Sequence, residues 1–182
     1  MATVDPTPTL QDWAGSPTAE LALVFGDIVG STNTIYQLGT RPYSLLRRMV
    51  LRTAERLLLD TAGRLVDTTA DGFFCAFRRA TDAYHFADAF FRDRETRDVL
   101  QLRLGLHYGT VTPSDNELLG RNVHYGARVT QHGRGAEFWV SDAAKEQLGS
   151  ESPDFAASLR WLQVDRAELK GIPGVQRLWR VA

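Results

Sequence analysis

Leu21-Ala22-Leu23-Val24-Phe25-Gly26-Asp27-Ile28-Val29-Gly30-Ser31-Thr32 is an apolar run that meets a carboxylate and then passes through a glycine into two hydroxyl residues. Leu21 to Asp27 is short and almost wholly apolar, the pattern of a strand buried on both faces. Ser31 and Thr32 can each cap a helix start. The stretch therefore predicts strand, tight turn and helix, with Asp27 at the strand end. Backbone N–H groups around Gly30, Ser31 and Thr32 can hold phosphate oxygens. A carboxylate beside them can hold a hard cation such as Mg²⁺. A strand-end Asp that only caps the next helix has the same local sequence.

A second carboxylate lies downstream. Arg64 to Thr69 and Phe73 to Phe77 predict two strands joined around Asp71-Gly72, a tight-turn pair. If these strands are neighbours of the first in the middle of a sheet, Asp27 and Asp71 lie side by side. Two unpaired carboxylates repel at that separation, and a divalent cation resolves the conflict. Ordinary turn chemistry explains Asp71-Gly72 equally well when the pair is read alone.

The rest of the chain fills out an α+β pattern. Residues 41–61 carry Leu45, Leu46, Met49, Val50, Ala54, Leu57 and Leu58 at helical spacing, with Gly63 placed to end the helix. Ala80 to Arg94 predicts a second helix and Leu102 to Tyr108 an alternating strand. Asn122 to His132 predicts a helix, Phe138-Trp139-Val140 a strand and Ser141 to Leu148 a helix. Leu162 to Leu169 and Val175 to Val181 predict a closing hairpin. The order β-α-α-β-β-α-β-α-β implies a mainly antiparallel sheet with helices packed over one face. Residues 1–19, rich in Pro, Thr, Ser and Gly, predict a loose arm that Trp13 tacks down. Residues 20–182 form one domain.

Composition narrows the function. The chain has 182 residues, 43% of them hydrophobic and 24% charged, enough apolar material for one core. The net charge of −1 provides no broad cationic field for nucleic acid or an anionic membrane. No apolar run approaches the roughly 18 residues that span a bilayer. The start, Met1-Ala2-Thr3-Val4-Asp5-Pro6, lacks the features of a signal peptide, so the expected location is the cytoplasm. Cys75 is the single cysteine, which excludes an internal disulfide and a cysteine-cluster zinc site and reads as a small buried residue.

Two cationic candidates remain. Gly120-Arg121-Asn122-Val123-His124-Tyr125-Gly126-Ala127-Arg128 puts His124 and Arg128 on one helical face. A guanidinium there can face a phosphate or sit on the surface. Lys170, in Leu169-Lys170-Gly171-Ile172-Pro173-Gly174, is either a solvated turn lysine or a point charge for a terminal phosphate.

Together these segments resemble the class III adenylate/guanylate cyclase family. The resemblance runs from about residue 20 to 182. It is carried by Phe25 to Thr32, Gly63-Arg64-Leu65-Val66 through Asp71-Gly72-Phe73, Leu102 to Gly109, Gly120 to Arg128, Glu137 to Ser141 and Leu169-Lys170-Gly171. It implies a ferredoxin-like α+β domain that pairs head to tail in a homodimer with active sites at the interface. It implies that Asp27, Asp71 and the carbonyl of Ile28 hold two Mg²⁺ or Mn²⁺ ions. The ribose 3′-hydroxyl of a nucleoside triphosphate then attacks the α-phosphorus, with Arg128 of the other chain stabilising the transition state and Lys170 gripping the outer phosphates.

Four positions depart from the family pattern, one of them, Ala70 in place of the glycine before the second metal aspartate, a smaller change. The family's purine-selecting lysine is Asp67 here, the partner of that lysine is Glu117, and its ribose-orienting asparagine is His124. An ionised Asp67 cannot donate to adenine N1. Uracil N3–H or the cytosine amino group suits an acidic acceptor, and Tyr125 and His124 can narrow the site toward a single ring. Guanine offers N1–H and an amino group to a carboxylate, but its O6 needs a donor. The expected substrate is UTP, then CTP, as in the pyrimidine cyclases of bacterial anti-phage signalling. The rival readings are a guanylate or adenylate cyclase with an unusual base pocket, a catalytically inactive nucleotide-binding relative, and a plain interaction domain.

Overall fold

The computed structural model describes residues 7–181, and of residues 164–166 the backbone alone. The chain runs α1 (Leu10–Ala14), β1 (Ala19–Ile28), α2 (Ser31–Leu38), α3 (Thr40–Leu59), β2 (Arg64–Thr68) and β3 (Gly72–Phe77). It continues α4 (Ala80–Arg92), α5 (Arg94–Arg97), β4 (Leu102–Ser114), β5 (Glu117–Leu119) and α6 (Arg121–His132). It closes with β6 (Phe138–Ser141), α7 (Asp142–Glu151), α8 (Pro153–Ser158), β7 (Trp161–Glu168) and β8 (Val175–Val181).

The sheet order is β2-β3-β1-β4-β6-β8-β7, with β5 hairpinned onto β4. All pairings are antiparallel except β4 with β6. β1 lies at the centre, in register with β4 from Ala19↔Val111 to Ile28↔Leu102 and with β3 from Ala22↔Phe77 to Asp27↔Gly72.

Alternation along β1 explains its unbroken apolar run. Ala22 and Val24 pack into the larger core with Phe73, Cys75 and Phe77 and with the helices α3, α4 and α7. Leu21 and Leu23 point to the opposite face, where Phe74, Ala76, Val111 and Leu10 of α1 meet them. Both faces are covered, so no position on the strand needs to be polar. Phe86 and Phe90 of α4 are buried against Phe73, each burial worth about 2 kcal/mol or more. The buried thiol of Cys75 is held well above its ordinary pKa.

Four local expectations change. The helices do not all lie over one face: α3, α4 and α7 do, while α6 packs against β4, β1 and β6 with Val129 in a separate cluster with Trp139 and Leu178. Leu10–Ala14, within the stretch expected to be loose, forms α1, started by a reciprocal Thr9–Asp12 capping box. Trp13 packs against that smaller core, with Arg78 over its ring. α3 ends at Asp60 rather than Gly63. Gly63 is small for packing: a Cβ there would fall 2.2 Å from the Phe77 ring. The buried stripe of α3 runs through Tyr43, Val50, Thr53 and Ala54, which leaves Leu45 exposed.

Candidate active site

Asp27 and Asp71 meet because β1 and β3 are neighbours. Asp27 is the cross-strand partner of Gly72, and the Ile28 N–H donates to the Asp71 carbonyl at 2.9 Å. Gly72 makes the approach possible, since a Cβ there would fall 1.9 Å from the Gly26 carbonyl oxygen. Gly30, at φ 68°, turns the chain from β1 into α2 and is itself the N-cap. Neither Ser31 nor Thr32 caps the helix. The Ser31 hydroxyl donates to Asp71 Oδ2 at 2.8 Å, and Thr32 is exposed.

Arg103 on β4, which the sequence reading did not single out, completes this corner. Its Nε donates to Asp27 Oδ2 at 2.8 Å, Nη2 reaches the same oxygen, and Nη1 donates to the Gly133 carbonyl at 3.1 Å. The other oxygen of that carboxylate, Oδ1, is buried without a partner, as is the Tyr43 hydroxyl. Burial pushes the Asp27 carboxyl above its usual pKa, against the pull of Arg103, and nearby Asp71 adds to the rise.

The donor set fits a hard cation. No group of three or more His, Cys, Asp or Glu side chains is placed to hold a metal among the described residues. What the corner provides is an orphaned carboxylate oxygen on Asp27 and the Asp71 carboxylate. These are oxygen ligands that leave coordination positions for water or phosphate, as Mg²⁺ and Mn²⁺ require.

The other sequence-predicted residues fall into separate clefts. Asp67 and Glu117 line one cleft of about 440 Å³ with Val66, Phe74, Asn116, Leu118, Leu119 and Val123. Asp67 Oδ1 accepts from the Thr68 N–H at 2.7 Å. Asn116 is the sole amide side chain lining that cleft; its Oδ1 accepts from the Leu10 N–H of α1 at 3.4 Å, which leaves its NH₂ to donate. Arg128 and Lys170 line another cleft of about 320 Å³ with Gln131, His132, Arg134, Glu168 and Leu169. The guanidinium of Arg128 donates to Gln131 within that cleft.

His124 and Tyr125 join neither cleft. His124 is exposed. Tyr125 stacks on His107 with ring centroids 4.3 Å apart, and its hydroxyl donates to Gln176 Oε1 at 2.9 Å. Its phenol is raised above its usual pKa by burial and then by Asp142. Tyr125 thus narrows nothing around Asp67 and Glu117 within this chain. His107 is itself buried between Ser141 Oγ at 2.8 Å and Asn122 Oδ1 at 3.0 Å. Burial holds it below the usual histidine pKa, so it is a neutral core group.

No protein-family model matches the chain. It is 26% identical over 160 residues to the uncharacterized proteins Rv0891c of Mycobacterium tuberculosis and Mb0915c of Mycobacterium bovis, covering 86% of this chain and 54% of each relative. The chain therefore spans about half the length of the curated relatives it matches. Among solved structures it superposes on the adenylyl cyclase CyaB from P. aeruginosa with a TM-score of 0.79 at 17% identity, covering 91% of this chain and 94% of that one. The chain has the fold of a cyclase domain. A Trypanosoma brucei adenylate cyclase in its monomeric state gives a TM-score of 0.77 at 20% identity, over 91% and 90% of the two chains. The guanylate cyclase domain of RhGC from Catenaria anguillulae, solved in complex with GTP, gives 0.73 at 17% identity, over 90% and 96%. In this cyclase fold the central strand pair β1–β3 carries Asp27 and Asp71 at one end. Among the described residues no helix is long and apolar enough to cross a membrane.

Proposed function

We propose that the chain is a nucleotide cyclase that converts a nucleoside triphosphate to a 3′,5′-cyclic nucleotide and pyrophosphate. The observation that carries this reading is the Asp27–Asp71 pair with its orphaned carboxylate oxygen. Asp27, Asp71 and the Ile28 carbonyl would hold two Mg²⁺ or Mn²⁺ ions. Such ions, when bound, favour loss of the 3′-hydroxyl proton and neutralise triphosphate charge.

The chain's own groups do the positioning. Arg103 holds Asp27 so that Oδ1 faces the site, and Ser31 holds Asp71 in the same way. Backbone N–H groups from Gly30 to Thr32 at the start of α2 are free to receive phosphate oxygens. The 3′-oxygen bonds to the α-phosphorus as the bond from that phosphorus to the bridging oxygen breaks, and pyrophosphate leaves with that oxygen. Arg128 would stabilise charge on the α-phosphoryl oxygens, and Lys170 would grip the outer phosphates. The exposed His124 would contact the ribose.

A homodimer completes the site. Arg128 and Lys170 line a cleft that contains neither carboxylate, which supports a site in which one copy's aspartates face Arg128 and Lys170 of another. Helix α2, next to the aspartates, buries none of its residues and exposes Ile35, Tyr36 and Leu38, an apolar face suited to a second copy.

For the base, the carboxylates of Asp67 and Glu117 favour a ring N–H, and neither can donate to adenine N1, which disfavours adenine. Uracil N3–H would donate to Asp67 and a uracil carbonyl would accept from Asn116. We favour UTP, then CTP, which would suit a bacterial anti-phage signal. Asn116 also supports a second reading, GTP, because its amide can donate to guanine O6. Incubation with ATP, GTP, CTP and UTP separately, with Mn²⁺ and with Asp71→Ala as control, tests both. A single cyclic monophosphate identified by mass spectrometry and absent from the control is expected. Turnover of GTP or ATP far above both pyrimidines would overturn the UTP assignment, GTP favouring the second reading and ATP removing both, and no product from any base would favour a binding-only protein.

A further inference from the structure

Two side-chain oxygens among the described residues are buried without a partner, Oδ1 of Asp27 and the hydroxyl of Tyr43, and Asp27 is among the charged groups that act on the Tyr43 phenol. Tyr43 is 6% exposed and lies in the first turn of α3. One turn further on, Arg47 donates through Nε at 3.2 Å and Nη2 at 2.9 Å to the Thr69 carbonyl, two residues before Asp71. α2 packs on α3, and its Ser31 reaches Asp71 at 2.8 Å. Asp71, Ser31 and Asp27 all lie near enough to act on the Tyr43 phenol. Burial first, and Asp71 next, hold its pKa above the ordinary value.

A phenol beside two carboxylates would ordinarily donate to one of them. Here Asp71 Oδ2 accepts from Ser31 and Asp27 Oδ2 accepts from Arg103, and neither Asp27 Oδ1 nor Asp71 Oδ1 takes a hydrogen bond from the Tyr43 hydroxyl. Buried polar groups are otherwise paired almost without exception. An acceptor and a phenol left unpaired in one corner are satisfied together by an occupant that touches both. A hydrated cation does this: the ion binds Oδ1 and one of its water ligands hydrogen-bonds the phenol. Outer contacts of this kind orient and tune metal sites.

We propose that Tyr43 is a positioning residue whose hydroxyl hydrogen-bonds the water shell of the cation held by Asp27 and Asp71. The inference depends on the cation reading given under Proposed function and adds a residue to it. The test is a titration with Mn²⁺ alone, free ion being read by electron paramagnetic resonance, on the wild type, Tyr43→Phe and Asp27→Asn. Tyr43→Phe is expected to bind Mn²⁺ about tenfold more weakly or worse, while melting in the absence of metal at the same temperature or higher. Wild-type affinity in Tyr43→Phe, with binding lost in Asp27→Asn, would overturn the role of Tyr43 and leave the cation site standing. Equal Mn²⁺ binding by the wild type and Asp27→Asn would overturn both. Tyr43→Met, a ring-free variant, guards against a packing effect. Affinity must follow the missing hydroxyl in both variants, and affinity that follows melting temperature instead would reduce Tyr43 to a core residue.

Discussion

The Arg103 guanidinium donates to Oδ2 of Asp27 at 2.8 Å and leaves Oδ1 of the same carboxylate buried and free. One residue therefore both neutralises Asp27 and aims it. The two side chains are 24% and 18% exposed, so the pair is largely desolvated.

Removing Arg103 leaves a mostly buried carboxylate without its partner. Arg103→Met should lose roughly 3 kcal/mol of stability in metal-free buffer. Part of that loss should return with Mn²⁺, because an ion that binds the folded state alone stabilises it by mass action. Chemical denaturation with and without Mn²⁺ measures both effects. A variant as stable as the wild type would show that the ion pair contributes nothing to Asp27.

If each active site is shared between two copies, variants of opposite halves should rescue one another. Asp71→Asn and Arg128→Ala homodimers should each lose at least about a hundredfold in turnover. Mixed after unfolding and refolding, they form heterodimers in which one site carries both defects and the other none. Activity should recover to about a quarter of wild type, the share expected from random pairing with one intact site per heterodimer. Recovery no greater than the two parents would place the whole site in one chain.

Asn116 is the one amide donor in the cleft of Asp67 and Glu117. Asn116→Asp swaps that donor for a third acceptor. Turnover of the preferred base should fall at least tenfold, because an unmatched polar group in a pocket is a strong discriminator. Asp67→Lys should move the preference toward ATP by providing a donor for adenine N1. Competition assays with equimolar triphosphates read both ratios. Unchanged ratios in both variants would remove this cleft from base selection.

His107 makes stability depend on pH in a stated direction. Its pKa is below 6.5 when folded, chiefly through burial against the weaker opposing hydrogen bond from Asn122. Between the folded value and 6.5 the unfolded chain binds more protons, so stability rises with pH there. The contribution is complete above 6.5 and is lost as pH falls below it. His132 is shifted the same way by burial, so the comparison must isolate His107. Urea midpoints of wild type and His107→Gln, measured from pH 7.5 to 5, should converge as pH falls. Parallel curves would mean that His107 does not titrate across this range.

Much of the molecule was legible in the sequence. Periodicity located every strand of the main sheet, and the helices at α3, α4, α6 and α7. β5 escaped because three residues are too few for a pattern, although Asp115-Asn116 between Ser114 and Glu117 is a two-residue turn signal. Asp115 takes the positive φ of 48° that such a turn requires. α1 escaped because its pattern is a single turn, and only the Thr9…Asp12 capping spacing marks it.

What the sequence determined by itself was the order of elements; it brought Asp27 and Asp71 together only on the condition that their strands pair, which the sheet supplied. That order follows from local rules: an unbroken apolar run marks a strand buried on two faces, and a three-residue loop after β2 returns β3 beside β2. The tertiary structure alone decided what those carboxylates meet. Arg103 is 76 residues from Asp27 in sequence, Ser31 is 40 from Asp71, and Asn116 is 106 from Leu10. Such pairs leave no periodicity, because they are set by strand register and by which face a helix covers. The same holds for α6, sent to the far side of the sheet, and for Tyr125, which turned onto His107 instead of the base cleft. A side chain's partner is a property of the packed sheet, and no segment contains it alone.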